Sequence, residues 1–334
     1  MSSTLPAESP EAAREAADEF RKVHTSIRTE VARMMVGQDA VVDGVLAALF
    51  AAGHVLLEGV PGLGKTLLVS SIGQAIDLSF SRIQFTPDMM PADIRGSNVL
   101  TENESGGTQI EFQSGPLVAN LVLADEINRA TPRTQAALLE SMQEKQISVG
   151  KRTIKLEEPF CVMATQNPVE QEGTYPLPEA QLDRFLFKLV VGYPAEDDYR
   201  TILRRTTSND QIKLNAVSDA ETVLRMRQVV RSVPVPEHVE TDAIRLVMAT
   251  QPGNQYTPSM VNELVSLGAS PRGVQSLILA GKVRALLDGR FAVASEDLKA
   301  VAPDVLRHRI LVNFQGMSDG INSDNVITEV LKTL

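Results

Sequence analysis

The chain has 334 residues, 43% of them apolar, and a formal charge of −10. That is enough apolar material for more than one buried core, and the acidity argues against sequence-independent attraction to nucleic acid as the main activity. The single cysteine, Cys161, excludes an internal disulfide framework and a cysteine-rich metal site, which suits a reducing cytoplasm, and the four scattered histidines show no ligand spacing.

In chain order, the opening "MSSTLPAESPEAAREAADEF" is acidic and has no apolar centre, so it cannot act as a secretory signal; residues 1–19 read as a frayed lead-in. The most apolar region, Ala40 to Leu57, is broken by Asp43, Gly53 and His54 and falls short of the roughly 20 clean apolar residues of a membrane span. It reads as a buried helix running into the short strand "HVLLEG". The next helix, "KTLLVSSIGQAI", puts Leu68, Ile72, Ala75 and Ile76 on one face.

Between that strand and helix lies "GVPGLGKT", which fits G-x-x-x-x-G-K-[ST] with Gly59, Gly64, Lys65 and Thr66 in the fixed positions. Glycines let backbone N–H groups close around phosphates, and the following helix adds its positive end. A lysine at a helix N-terminus is misplaced unless an anion sits there. Pro61, Gly62, Leu63 and Leu67 complete the nucleotide-facing segment.

"FSRIQF", "NLVLAD", "FCVMAT" and "FLFKLVV" are further strand-like runs, mostly apolar on both faces, as a helix-covered parallel sheet requires. The fold class is therefore α/β. More than thirty residues, Thr86 to Ala119, separate the first two of these runs, where a single crossover helix needs fewer. "NLVLADEINRA" ends a buried strand on Asp125 and Glu126. Adjacent strand residues face opposite ways, so the two carboxylates take different jobs: Asp125 to hold Mg2+ beside Thr66, Glu126 to polarise the attacking water.

In "ATPRTQAALLESMQE", Thr131 can cap and Pro132 start a helix that buries Ala136, Leu139 and Met142, while Arg129 and Arg133 near its start suit a subunit interface. "QISVGKRTIKLEEP" alternates on both sides of "GKR", as a hairpin would. Cys161 reads as an inert buried hydrophobe. After "GYPAEDD" the strands stop, and "AETVLRMRQVVRS" and "PRGVQSLILAGKVRALLDG" are helical, so a core over 20–194 gives way to a helical domain over 195–334. There, Ser270 can cap a helix and Pro271 begin it, which leaves Arg272 in a first turn that disfavours a cation. A phosphate presented to that end would offset the repulsion.

"VGQDAVVDGVLAALFAAGHVLLEGVPGLGKT", "DEINRATPRTQAALLESMQE", "ATQNPVEQEGTYPLPEAQLDRF" and "SPRG" together resemble, in content and order, the MoxR family of AAA+ ATPases, over roughly Met35 to Arg309. The resemblance implies a P-loop core of parallel sheet flanked by helices, with a C-terminal α-helical lid, that binds ATP with Mg2+ and hydrolyses it to ADP and phosphate. It implies that Asn167 is sensor 1, touching the γ-phosphate or attacking water, and that Arg184 is an arginine finger reaching a neighbouring subunit's nucleotide. Arg272 matches sensor 2, coupling nucleotide state to closure between the domains, and Val36, Gly37 and Gln38 lie beside the adenine. The long excursion matches a helix-2 insertion and the hairpin one that precedes sensor 1; both are expected to contact substrate.

The same resemblance implies a cytoplasmic homo-oligomeric ring, a hexamer, acting on a client or adaptor that can carry a von Willebrand factor A domain, in metal-centre insertion or complex maturation. Two other readings stand beside it. One is a nucleic-acid motor akin to the MCM helicases, opposed by the net charge and favoured locally only by Lys151, Arg152 and Lys155. The other is a nucleotide-gated binding switch in which slow hydrolysis serves as a timer.

Overall fold

The computed structural model describes residues 9–102, 108–150, 152–167, 173–207 and 212–334. It opens on a 23-residue helix, α1 (Pro10–Ala32), capped by Ser9, whose side chain accepts from the Ala12 N–H at 3.1 Å. That overturns the lead-in over 10–19. Ser9, Pro10 and Glu11 are a helix start signal, and Ala16, Ala17 and Phe20 recur on one face that is buried, while the acidic residues cover the other. Residues 1–8 lie outside the described residues.

The core then runs α2 (Asp39–Phe50), β1 (Val55–Glu58), α3 (Lys65–Ile76), β2 (Phe80–Gln84), α4 (Pro91–Arg95), β3 (Gly96–Glu102), β4 (Thr108–Ser114), β5 (Leu121–Asp125), α5 (Pro132–Glu144), β6 (Gln146–Val149), β7 (Arg152–Lys155), β8 (Cys161–Gln166), α6 (Glu179–Leu182) and β9 (Phe187–Val190). Five of the strands form one parallel sheet in the order β2-β5-β8-β1-β9. Each inner strand is an apolar run with both faces covered, as expected. The edge strand β2 is half exposed and carries Arg82 and Gln84.

The long excursion is α4 followed by the antiparallel hairpin β3–β4, and "QISVGKRTIKLEEP" is the hairpin β6–β7. A Cβ placed on Gly150, at the second hairpin's turn, would lie 3.6 Å from the Asn98 amide nitrogen of the first, so the two excursions adjoin. On α5, Leu139 and Met142 are buried, but Ala136 is exposed and its neighbours Ala137 and Leu138 are buried. The helix is rotated by one position from the face expected. Thr131 occupies the cap position without a capping hydrogen bond from its side chain.

The remainder comprises α7 (Glu196–Thr207), α8 (Ala220–Ser232), α9 (Glu237–Ala249), α10 (Ser259–Leu264), β10 (Val265–Leu267), α11 (Pro271–Leu287), α12 (Ser295–Leu306), β11 (Leu311–Val312), α13 (Phe314–Ser318) and α14 (Ser323–Leu331). Strands do not stop altogether, because β10 and β11 pair antiparallel. One buried apolar cluster runs without a break from α1 and α2, across one face of the sheet, into α8, α9, α11, α12 and α14. The other sheet face packs on α5 and the hairpin bases around Phe85, Phe160 and Phe185. Arg227 of α8, buried, donates to the Leu49 carbonyl at 2.8 Å and to Glu158 at 3.1 Å, tying this helix to the sheet layer. The terminal α14 docks through Val326, Ile327 and Val330 against α12 and α9. Among the described residues, no helix is long and apolar enough to cross a membrane.

Candidate functional site

Strand β1 and helix α3 leave only residues 59–64 to turn the chain. The turn uses left-handed backbone at Gly62 (φ 84°) and Gly64 (φ 78°), where a side chain would be strained. At Gly59 the constraint is contact, since a Cβ would meet the Val191 carbonyl oxygen at 2.6 Å. The loop and the first turn of α3 line a cleft of about 410 Å³. Lys65 folds back and donates to the Gly59 carbonyl. Partial burial pulls its ammonium below the usual lysine range, with Asp125, Glu126 and Glu58 opposing the shift.

Pro61, Gly62 and the residues 64–67 form one wall of this cleft, and the strand ends form the other with Arg82, Gln84, Asp125, Glu126, Thr165 and Asn167. Register brings these together, because Gln84 of β2 lies opposite Asp125 of β5, and the carboxyl ends of parallel strands converge there. Asp125 accepts from Arg82 Nη2 at 2.6 Å and from the Thr165 hydroxyl at 2.6 Å. Thr165 also accepts the Glu126 N–H at 2.8 Å.

Glu126 sits in the left-handed region (φ 58°, ψ 49°), which is costly for a residue with a side chain and turns it away from the strand's plain alternation. Its carboxylate accepts from Gln84 Nε2 at 2.7 Å and pairs with Arg129 at 3.2 Å. Asn167 is buried on the same wall. Arg82, Gln84 and Thr165 are absent from the sequence-based site. A signal exists for the first two: they stand two residues apart on one face of the strand "FSRIQF", and so aim two polar side chains the same way.

The 35–38 turn adjoins the phosphate loop. The Met35 methyl lies 3.6 Å from where a Gly64 Cβ would be, and Gln38 Nε2 donates to the Gly192 carbonyl at 2.9 Å. Gly37 has φ 71°, and a Cβ there would run into Asp198.

Two expected residues lie elsewhere. Arg184, just past α6, donates to the Leu139 carbonyl at 2.9 Å. Arg272, in the first turn of α11 with its N–H accepted by Ser270 at 3.1 Å, lies 4.0 Å from Asp183. Both line a second cleft of about 280 Å³ between core and lid. Neither arginine therefore lines the phosphate-loop cleft of its own chain. The cause is the docking of the lid, whose α11 begins over the 183–186 turn beside β9.

On the insertion hairpin, the cross-strand partners Leu100 and Ile110 are 74% and 65% exposed, an apolar pair offered to solvent. Arg152 adjoins the second hairpin's turn and Lys155 lies at the far end of the same strand, opposite Gln146; Lys151 lies outside the described residues.

The profile of the ATPase family associated with various cellular activities (AAA) matches residues 54–187, and that of the AAA lid domain matches residues 258–330. Chaperone MoxR1 of Mycobacterium tuberculosis is 44% identical over 315 residues, covering 94% of this chain and 82% of that protein. Protein MoxR of Methylorubrum extorquens is 32% identical over 310 residues, covering 88% and 89%. A crystal structure of a candidate ATPase from Cytophaga hutchinsonii superposes with a TM-score of 0.90 at 39% identity, covering 97% of this chain and 98% of that one.

Proposed function

This chain belongs to the MoxR family of AAA+ ATPases, and from that premise we propose that it hydrolyses ATP in a homo-oligomeric ring, a hexamer, and uses the cycle to remodel or mature a partner protein. The observation that carries the ring is the separation of the arginines from the phosphate loop. Arg184 and Arg272 share a cleft other than the one at the phosphate loop, which supports a site completed by a second copy.

In this reading, the loop amides around Gly59 to Gly64 and the first turn of α3 hold the phosphates, and Lys65 exchanges its own loop carbonyl for a phosphate oxygen. Val36, Gly37 and Gln38 wall the base. Asp125 and Thr66 fit Mg2+: the carboxylate already accommodates the cationic Arg82, and Thr66, with a hydroxyl to offer, lines the same cleft. That ion, when bound, neutralises charge on the phosphates. Glu126 orients the attacking water once Gln84 releases it, and Asn167 fixes the γ-phosphate or that water. Arg184 and Arg272 of the adjoining copy stabilise charge that develops in the transition state.

The adjoining hairpins, with Leu100 and Ile110 exposed, are the elements placed to touch the client or an adaptor, one that can carry a von Willebrand factor A domain. We assign the work to the cytoplasm, in keeping with the lone buried Cys161.

The test is capture from native lysate by Glu126→Gln, which should bind ATP and stall, set against Lys65→Ala, which should not bind it. A protein retained only by the stalled variant is expected. Retention of nucleic acid instead, lost steeply with salt, would replace this reading with the helicase-like one.

A further inference from the structure

Arg309 leaves α12 to enter a site with no polar contact to the phosphate-loop cleft, and its side chain is 2% exposed. Its Nε donates to Asp183 Oδ1 at 2.8 Å. Nη2 donates to the carbonyls of Phe185 at 2.6 Å and Asp183 at 3.2 Å and to the Ser276 hydroxyl at 3.1 Å. Nη1 donates to the Leu186 carbonyl at 3.3 Å and to that of Val305. The carbonyls on both sides of Arg184 are thus fixed by one planar guanidinium from the lid, whose donor geometry a lysine could not reproduce. His308 adds a contact from its Nε2 to the Phe185 carbonyl at 3.1 Å.

Asp183 completes the joint. One carboxylate oxygen takes Arg309, and the other accepts the Ser270 hydroxyl at 2.7 Å. Ser270 is also the cap of α11, accepting the Arg272 N–H at 3.1 Å. A single carboxylate therefore joins the turn that carries Arg184 to the helix start that carries Arg272. A lid rotation that left the 183–186 turn behind would strand a buried guanidinium without partners, so the turn must follow the lid.

We propose that Asp183 and Arg309 are positioning residues through which the lid sets the aim of Arg184, so that the two arginines are delivered to a neighbouring copy's nucleotide as one unit. The inference rests on the reading that Arg184 serves a neighbour. Neither residue touches ATP in this account; each acts through Arg184.

The experiment uses mixed full-length oligomers. Lys65→Ala subunits lack nucleotide but supply Arg184, and Arg184→Ala subunits bind nucleotide but supply no finger, so each is inactive alone and their mixture should regain hydrolysis. Adding Asp183→Asn to the Lys65→Ala subunit should cut the regained rate about ten- to hundredfold, the scale of a misplacement of roughly 1 Å, with KM for ATP unchanged. Arg309→Lys on the same subunit, which keeps the charge and loses the fork, should do likewise. Adding Asp183→Asn to the Arg184→Ala subunit instead should leave the rate unchanged, because that subunit has no finger to aim.

An undiminished rate with either double variant would overturn the proposal. Equal loss from both placements of Asp183→Asn would reduce Asp183 to general stability and overturn it as well. If the reference mixture itself regains nothing, the reading of Arg184 as acting on a neighbour fails, and the positioning role falls with it.

Discussion

Replacing Thr165 by valine removes one hydroxyl from a buried position and preserves the β-branched shape, so it opens no cavity. That hydroxyl accepts the Glu126 N–H at 2.8 Å and donates to Asp125 at 2.6 Å. An orphaned buried N–H costs about 1–3 kcal/mol, and a hydrogen bond to a charged acceptor contributes about 1.5–3 kcal/mol. Asp125 keeps Arg82 as a partner, which lowers the second figure. A total of about 2–4 kcal/mol is expected, from the same terms discounted for the remaining partner.

The functional effect follows from the left-handed backbone of Glu126, which costs of the order of 1–3 kcal/mol and persists only while its surroundings enforce it. Without Thr165 the residue relaxes, its carboxylate leaves the water-orienting position, and kcat falls about a hundredfold, the scale of a misplacement near 1 Å. Nucleotide affinity stays within about threefold, a small fraction of the binding free energy, because the loop and Lys65 are untouched. Urea unfolding and steady-state phosphate release read the two effects, and Thr165→Ser, which keeps the hydroxyl, should recover most of the rate. Wild-type kcat and an unmoved urea midpoint in Thr165→Val would refute the reasoning.

His54 is neutral and fully satisfied, with Nδ1 accepting the Val162 N–H at 3.0 Å and Nε2 donating to the Met142 carbonyl at 3.1 Å, and burial pulls its pKa down to about 4. The unfolded imidazole takes a proton first. The stability His54 supports is therefore complete above pH 6.5 and is lost as pH falls from there to about 4, by roughly 3 kcal/mol at the limit. Unfolding free energy measured across that window should have a shallower slope in His54→Gln; equal slopes would contradict the assignment. Gly64→Ala has room for its methyl but strained backbone, so it should destabilise by about 1–2 kcal/mol and weaken ATP binding at least tenfold, read by calorimetry. Specific ATPase activity should rise with protein concentration, and Arg184→Ala should lower it by about a thousandfold or more; a rate independent of dilution would argue against a finger shared between copies.

What the sequence made legible is what short-range chemistry decides. Gly59, Gly64 and Lys65 announce their turn because a close approach, a left-handed backbone and a cation at a helix start are each locally exceptional, and the sheet's inner strands announce themselves by unbroken apolar runs. The start of α1 is equally local, in Ser9 and Pro10, but the acidic residues around it mask the face that Ala16 and Ala17 bury. Ala136 illustrates a finer limit: a 13-residue helix with apolar residues at 136–139 permits two adjacent faces, and only packing selects one.

Arg82, Gln84 and Thr165 depend on register between strands distant in sequence, which fixes Gln84 opposite Asp125. Arg272 was recognisable as misplaced in a helix start, yet its destination was not, because that is set by how Arg309 and Asp183 dock the lid. Local rules find the groups, whereas long-range packing decides which of them share a cleft.

On the proposed function, the cleft between the 59–66 turn and the ends of β5 and β8 binds and hydrolyses ATP. The most direct measurement is Mg-ATP binding and phosphate release on the wild-type chain, Lys65→Ala and Glu126→Gln under identical conditions. The account predicts binding and turnover in the first, neither in the second, and binding without turnover in the third. Tight ATP binding by Lys65→Ala, or undiminished turnover by Glu126→Gln, would contradict it.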